Sequence, residues 1–122
     1  MALGQIKADT LEHSTAGSLD TSYVVQGSAK AWVQGSSSAV IEDSNNIASG
    51  TDNGVGDYTY AFTNNMGNNK YAIIVATQWA SLITFDPPER GTSSFNLRSF
   101  TRADSLTVSD NENATAIHGD LA

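Results

Sequence analysis

The 122-residue chain has no cysteine, which removes any disulfide framework and any thiolate metal site and leaves the redox compartment open. Its only histidines are His13 and His118. A Ser–His–Asp hydrolase needs a base beside the nucleophile and a third group to orient it. No G-x-S-x-G elbow accompanies either histidine. His13 lies in a polar stretch, where a solvated imidazole is expected. His118 lies between Ile117 and Gly119 near the last strand, where a structural hydrogen-bonding role is expected. Positive charge is scarce as well: six Lys and Arg stand against thirteen Asp and Glu, for a net charge of -7. Such a surface repels phosphate backbones and anionic bilayers, so neither nucleic acid nor a membrane is an expected partner. No stretch approaches the roughly 20 apolar residues of a membrane-spanning helix. The start, MALGQIKADT, lacks the apolar segment of a secretory signal. Strong helix formers are few, whereas Thr, Ser, Asn and Gly are abundant, a balance that favours strands and turns.

What is present reads as many short strands. Residues 1–21 are polar with isolated Leu3, Ile6, Leu11 and Leu19, spaced for neither a heptad nor a strand, and are expected to form an extended N-terminal arm. Tyr23-Val24-Val25 and Ala29–Val33 are β-type runs separated at Gly27. In the second, Ala29, Ala31 and Val33 share one face while Lys30 and Trp32 share the other. Gly35–Ser38 is a turn, and Val40-Ile41 opens a strand running into Glu42-Asp43-Ser44. The sharpest local signal is TDNGVGDYTYAF. Asn53-Gly54 and Gly56 accept the positive φ of a tight hairpin. The strand after it places Tyr58, Tyr60 and Phe62 on one face, and Thr59, Ala61 and Thr63 on the other. Residues 64–69 are a loop by composition. Tyr71–Ala76 is apolar on both faces, as suits a strand covered on both sides, by a second subunit or by a monomer's own core. Leu82–Phe85, Phe95–Arg98, Leu106–Val108 and Ala114–Ile117 complete the set, with the Pro87-Pro88 loop between the first two. Short strands at spacings near ten residues indicate a sandwich or small barrel.

Carboxylates Asp52 and Asp57 flank the hairpin. Such a pair could serve glycoside hydrolysis or bind calcium. The favoured reading of Asp52, Asn53, Gly54, Gly56 and Asp57 is a structural turn, because Asp side chains accept bonds from nearby backbone N–H groups. DNGVG is not a phosphate loop, since no helix and no Lys-Ser/Thr follow it. Trp32 suits packing more than sugar stacking, and Trp79 is evenly balanced between the two. Lys30 and Arg98 are single charges on strands, expected to be solvated.

GSAKAWV (Gly27–Val33), TDNGVGDYT (Thr51–Thr59), Phe62, Met66 and Tyr71-Ala72-Ile73 occur in the order seen in a group of phage-encoded proteins. The lead-in LGQIKADTLEHS and the ending IHGDLA are similar too. On these residues the chain resembles small tail-fibre or virion surface proteins of marine and cyanobacterial phages. The resemblance covers nearly the whole chain, is strong over residues 27–75 and at both ends, and is weak from about Gln78 to Asp110. It implies a β-sandwich head, trimeric association and a place on the outside of the virion, and it brings no catalytic residues. Members of the group have a Gly-rich stretch after the YAI strand. Here that region holds Trp79, Phe85, Pro87, Pro88 and Arg90, so receptor specificity does not transfer.

The combined expectation is an all-β protein: a small antiparallel, jelly-roll-like β-sandwich head (residues 22–122) with an extended arm (residues 1–21), assembled as a trimer. Its expected role is that of a non-enzymatic virion module of tail-fibre type, active in host attachment. The alternative is a capsid decoration or knob without a receptor; a depolymerase is least favoured. Expected partners are sister copies, another virion protein held by the arm, and a host-surface glycan or protein; no cofactor or metal is expected. Candidate receptor contacts are Asn68 and Asn69 in the 64–69 loop, Trp79, and Glu89 and Arg90 in the 86–93 loop.

Overall fold

The computed structural model describes residues 4, 7–77, 81–85, 90–101 and 107–122. Its elements are β1 (Thr10–His13), β2 (Gly17–Asp20), α1 (Thr21–Gly27), β3 (Ala31–Gly35), β4 (Ile41–Asn45), β5 (Ile47–Gly54), β6 (Asp57–Phe62), β7 (Ala72–Thr77), β8 (Ser81–Phe85), β9 (Ser94–Thr101), β10 (Thr107–Val108) and β11 (Asn113–His118). Among the described residues the protein is all-β apart from one short helix, and every strand pair is antiparallel.

Beyond the arm the strands form two sheets. One has the order β4-β3-β11-β7; in the other, β5-β6-β9 is extended by β8 on the far edge of β9 and by the short β10. The two-residue period decides which side chains go inside. Tyr58, Tyr60 and Phe62 of β6 are buried, while Asp57, Thr59 and Ala61 between them are not. Ala31, Val33 and Gly35 of β3 and Asn113, Thr115 and Ile117 of β11 are buried in the same alternating way. Both sheets feed one core: Ala31, Val33 and Ile117 from the first meet Tyr58, Tyr60, Phe62, Phe95 and Leu97 from the second. Phe95 lies 5.6 Å from the Tyr60 ring and 5.4 Å from Phe62, and Tyr71 meets Phe62 edge-on at 5.8 Å. Burying each such side chain contributes roughly 1.5–3 kcal/mol.

Tyr60 joins the two sheets. Its hydroxyl accepts a bond from Asn113 Nδ2 of β11 at 3.0 Å. Its ring end occupies the space beside Gly35, where a Cβ would overlap the hydroxyl and stand 3.0 Å from the Tyr60 Cζ and 3.1 Å from Asn113 Nδ2. Only glycine admits so close an approach. Residue 35, a turn glycine in the sequence reading, is therefore a packing glycine at a strand end.

Two parts of the N-terminal region differ from expectation. Tyr23-Val24-Val25, read as a strand, lies within helix α1. Asp20 caps that helix, its carboxylate accepting from Ser22 N at 2.7 Å. The β-type side chains bury nothing here, so there is no pleated surface to reward their preference. The stretch read as extended folds back as a hairpin. β1 pairs with β2 and sets Leu11 opposite Leu19, so two of the four apolar residues that fit no period are cross-strand partners.

Candidate interaction surfaces

The strand directions give the head two ends. The chain enters from α1 at the first. There the Lys30 amide donates to Ile117 O, and Asn46, at the β4–β5 corner with φ 58°, donates through Nδ2 to both Lys30 O and Asn64 O. The 64–69 loop and residues 90–93 lie at this same end: Met66 N donates to Thr92 O, and Tyr71 OH to Gly91 O at 2.8 Å. The last residues join them, with Gly67 N donating to Asp120 O and Ala122 N to Asn65 O. Asn68 and Asn69 are exposed here, and the Asn68 carboxamide closes a local turn by accepting from Lys70 N at 2.7 Å. Arg90 is held down, donating to Tyr71 O at 3.0 Å with its guanidinium 5.5 Å from the Tyr71 ring centroid. The structure thus brings Asn68, Asn69 and Arg90 to one end, the end that carries the arm. Trp79 and Glu89 lie outside the described residues.

The opposite end is built around the β5–β6 hairpin. Asp52 accepts from Gly54 N at 2.9 Å, and Gly54 and Gly56 have φ of 137° and 63°. A Cβ on Gly56 would stand 2.5 Å from Ser99 O, so this position needs glycine for its space and its conformation alike. Asp57 Oδ1 accepts from Asn96 Nδ2 at 2.9 Å and Asn53 Nδ2 at 3.1 Å, while its Oδ2 pairs with Arg98 Nη2 at 3.1 Å. Arg98, expected to be solvated, is tied into this half-buried network because β9 sets it directly opposite Asp57. Partial burial pushes the Asp57 carboxyl up, but the Asn96 and Asn53 amides and the Arg98 charge together hold it below the usual carboxylate range. Tyr58 binds neighbouring loops to the hairpin: its hydroxyl donates to Ser37 O at 3.2 Å and accepts from Asn111 N at 2.9 Å. Burial, foremost, and the nearby Asp110 push the Tyr58 phenol up to about 12. The two hairpin carboxylates are thus occupied by turn and sheet bonds. Among the described residues no group of three or more His, Cys, Asp or Glu is placed to hold a metal ion.

The third surface is apolar. Register places Asn45, Trp32, Ala116 and Ile74 in one row across the β4-β3-β11-β7 sheet, and Asp43, Gln34, Ala114 and Ala76 in the next. These rows point away from the core. Ile74 is 60% exposed and Trp32 is 37% exposed, so Trp32 does not serve core packing within one chain. Between them the alanines form the floor of a shallow groove of about 270 Å³. It continues into a depression of about 250 Å³ toward Thr77 and Glu112. β7 is an edge strand whose core-facing residues Ile73 and Val75 are half-buried and whose other face is bare. Its second apolar face is therefore not covered by the chain's own core. The signal for this surface is present in the sequence as Trp32, Ile74 and the alternate alanines of β7 and β11, but only strand order brings them side by side. No protein-family model, no curated protein and no solved structure matches the chain.

Proposed function

We propose that this chain is a non-enzymatic structural module of the exterior of a phage particle, of tail-fibre type, whose head is a jelly-roll-like β-sandwich that works as a trimer. The observation that carries the assembly reading is the bare face around Trp32 and Ile74. A contiguous apolar face on a soluble domain marks a contact surface, and sister copies supply a cover of fixed stoichiometry. The virion assignment rests on the residue pattern GSAKAWV, TDNGVGDYT and IHGDLA. In this reading the end of the head that carries the arm faces the rest of the particle, and the hairpin end, remote from it, faces outward. Loops 36–39, 53–56 and 109–111 are held together there by Tyr58 and Asp110, and loops on a rigid scaffold suit recognition. Repetition in three copies converts weak contacts with a host-surface glycan or protein into avid ones.

Two measurements test this. Light scattering should give about three times the 12.9 kDa chain mass; a single-chain mass at working concentration overturns the assembly reading. Labelled particles should show the protein on the tail. Label on the capsid would make it a decoration or knob instead, and particles without label would remove the virion assignment.

A further inference from the structure

We infer that the apolar groove of each copy is filled by the N-terminal segment, residues 7–27, of a neighbouring copy. This deepens the oligomer reading above and rests on it.

The first support is that the segment lacks a core of its own. Every described residue of the β1–β2 hairpin is exposed, and α1 buries none of its residues. Leu11, Leu19, Val24 and Val25 are all exposed, and Tyr23 is 68% exposed. A lone two-stranded hairpin is at best marginal in water, and a seven-residue helix is well short of the roughly 12–15 residues at which isolated helices become even marginal. Thr21 fastens the two together, its hydroxyl donating to Ala8 O at 2.8 Å and its amide to Asp9 O at 2.9 Å. The unit is built to hold a shape, and its apolar residues need a surface to cover them.

The second support is the shape of the groove. A floor of alanines between Trp32 and Ile74 is concave and receives a projecting apolar side chain, such as the exposed Tyr23 or Val25 of an arm; two such grooves facing each other would leave a gap and leave the arms bare. The lengths agree. Strand β7, with six residues, runs about 20 Å, whereas α1 is about 10 Å long and the hairpin strands about 13 Å.

The third support is connectivity. Only Ser28, Ala29 and Lys30 separate α1 from β3, and the Lys30 ammonium donates to Val25 O and Ser28 Oγ at the helix end. To cover its own groove, the arm would have to reverse within those three residues and break these bonds. Passing the arm to a neighbour requires neither. One arm given and one received is a head-to-tail contact, and where the rotation between copies closes it forms a ring with every arm and groove used. A ring of three, the stoichiometry proposed above, leaves no arm or groove over, as any closed ring does.

The experiment uses two full-length variants, V24D/V25D in the arm and Ile74→Asp in the groove. All three positions are on the surface of the single chain, and circular dichroism verifies that both variants keep the sheet. Each variant alone should run as a single chain. Mixed in equal amounts they should form a pair of twice the chain mass, because one supplies an intact arm and the other an intact groove. The chain's freedom from cysteine permits a second readout that leaves packing nearly intact. Val25→Cys in one copy and Ala116→Cys in another should form a mixed disulfide in preference to either self-disulfide. If wild type assembles and V24D/V25D assembles as well, or if the mixture stays as single chains and no mixed disulfide forms, the arm is not the occupant. If wild type itself is a single chain, the oligomer reading falls first and takes this inference with it.

Discussion

The contact between Tyr60 and Gly35 offers a direct test of how the two sheets are held together. In Gly35→Ala the new methyl would overlap the Tyr60 hydroxyl, and neither partner can yield easily. The phenol is fully buried and bonded to Asn113 Nδ2, which is itself 3.1 Å from the methyl position. Overpacking of this kind costs about 1–3 kcal/mol. Displacing the phenol also strands a buried amide at about 1–3 kcal/mol, so a total near 4 kcal/mol is expected, a large part of a domain's stability. Tyr60→Phe alone should cost about 1.5 kcal/mol through the lost bond. The double variant should cost about 3 kcal/mol instead of the additive 5.5 or so, because removing the hydroxyl gives the methyl its space. Urea unfolding followed by circular dichroism at one fixed chain concentration measures all four corners, the fixed concentration being needed because the proposed assembly would shift apparent stability. Additivity to within about 0.5 kcal/mol would show that the two positions do not meet, and would refute this account of the sheet contact.

Three further outcomes follow from the structure. Asp57→Asn should cost about 1 kcal/mol at neutral pH, the Arg98 pair being partly exposed. Because the folded carboxyl is held below its ordinary range, its contribution is present above the unfolded pKa and lost as pH falls through the folded one; denaturant midpoints of wild type and variant should therefore converge in acid, and a constant gap would exclude the network as its source. Burial raises the Tyr58 and Tyr71 phenols to about 12. Their contribution is intact below the unfolded value near 10 and is lost between there and about pH 12, by roughly 2–3 kcal/mol each; a tyrosinate absorbance titration that finds all four tyrosines ionising together near 10 in the folded protein would contradict this. Asn46→Gly keeps the positive φ and loses the bridges to Lys30 O and Asn64 O, whereas Asn46→Ala loses both. Thermal unfolding should rank wild type, Gly and Ala in falling stability, with the last step about 1 kcal/mol.

The apolar sheet face connects the fold to the proposed role. An edge strand as apolar as AIIVAT, with no lysine, proline or bulge along it, is a hazard for a free monomer. In the proposed assembly a second chain would cover the adjoining face and shield that edge from unplanned pairing. The head also keeps its two polar ends distinct. One carries the arm and is tied together by Asn46, which bridges Lys30 and Asn64; the other is stiffened by Tyr58, Asp57 and Asp110. That division suits a part fixed at one side and presented at the other.

Local pattern alone determined the strands with a clean two-residue period. DYTYAF, AKAWV and the Phe95–Leu97 segment declare their inner faces because alternation is a property of adjacent residues. The β5–β6 hairpin is legible for the same reason: Asn53, Gly54 and Gly56 meet their conformational requirement within a few residues. Tertiary structure decided the rest. Whether Tyr23-Val24-Val25 would be strand or helix depended on whether a sheet lay beside it, and none did, so the Asp20 cap prevailed. Asp57 and Arg98 are 41 positions apart, and only the β6–β9 register makes them partners. Gly35 reads as a turn until Tyr60 arrives from the other sheet. The groove between Trp32 and Ile74 exists because β11, from the far end of the chain, lies between β3 and β7. Periodicity is a short-range property and the sequence displays it; adjacency between distant strands is settled by which faces bury most surface together, and that is known only once the whole chain has folded.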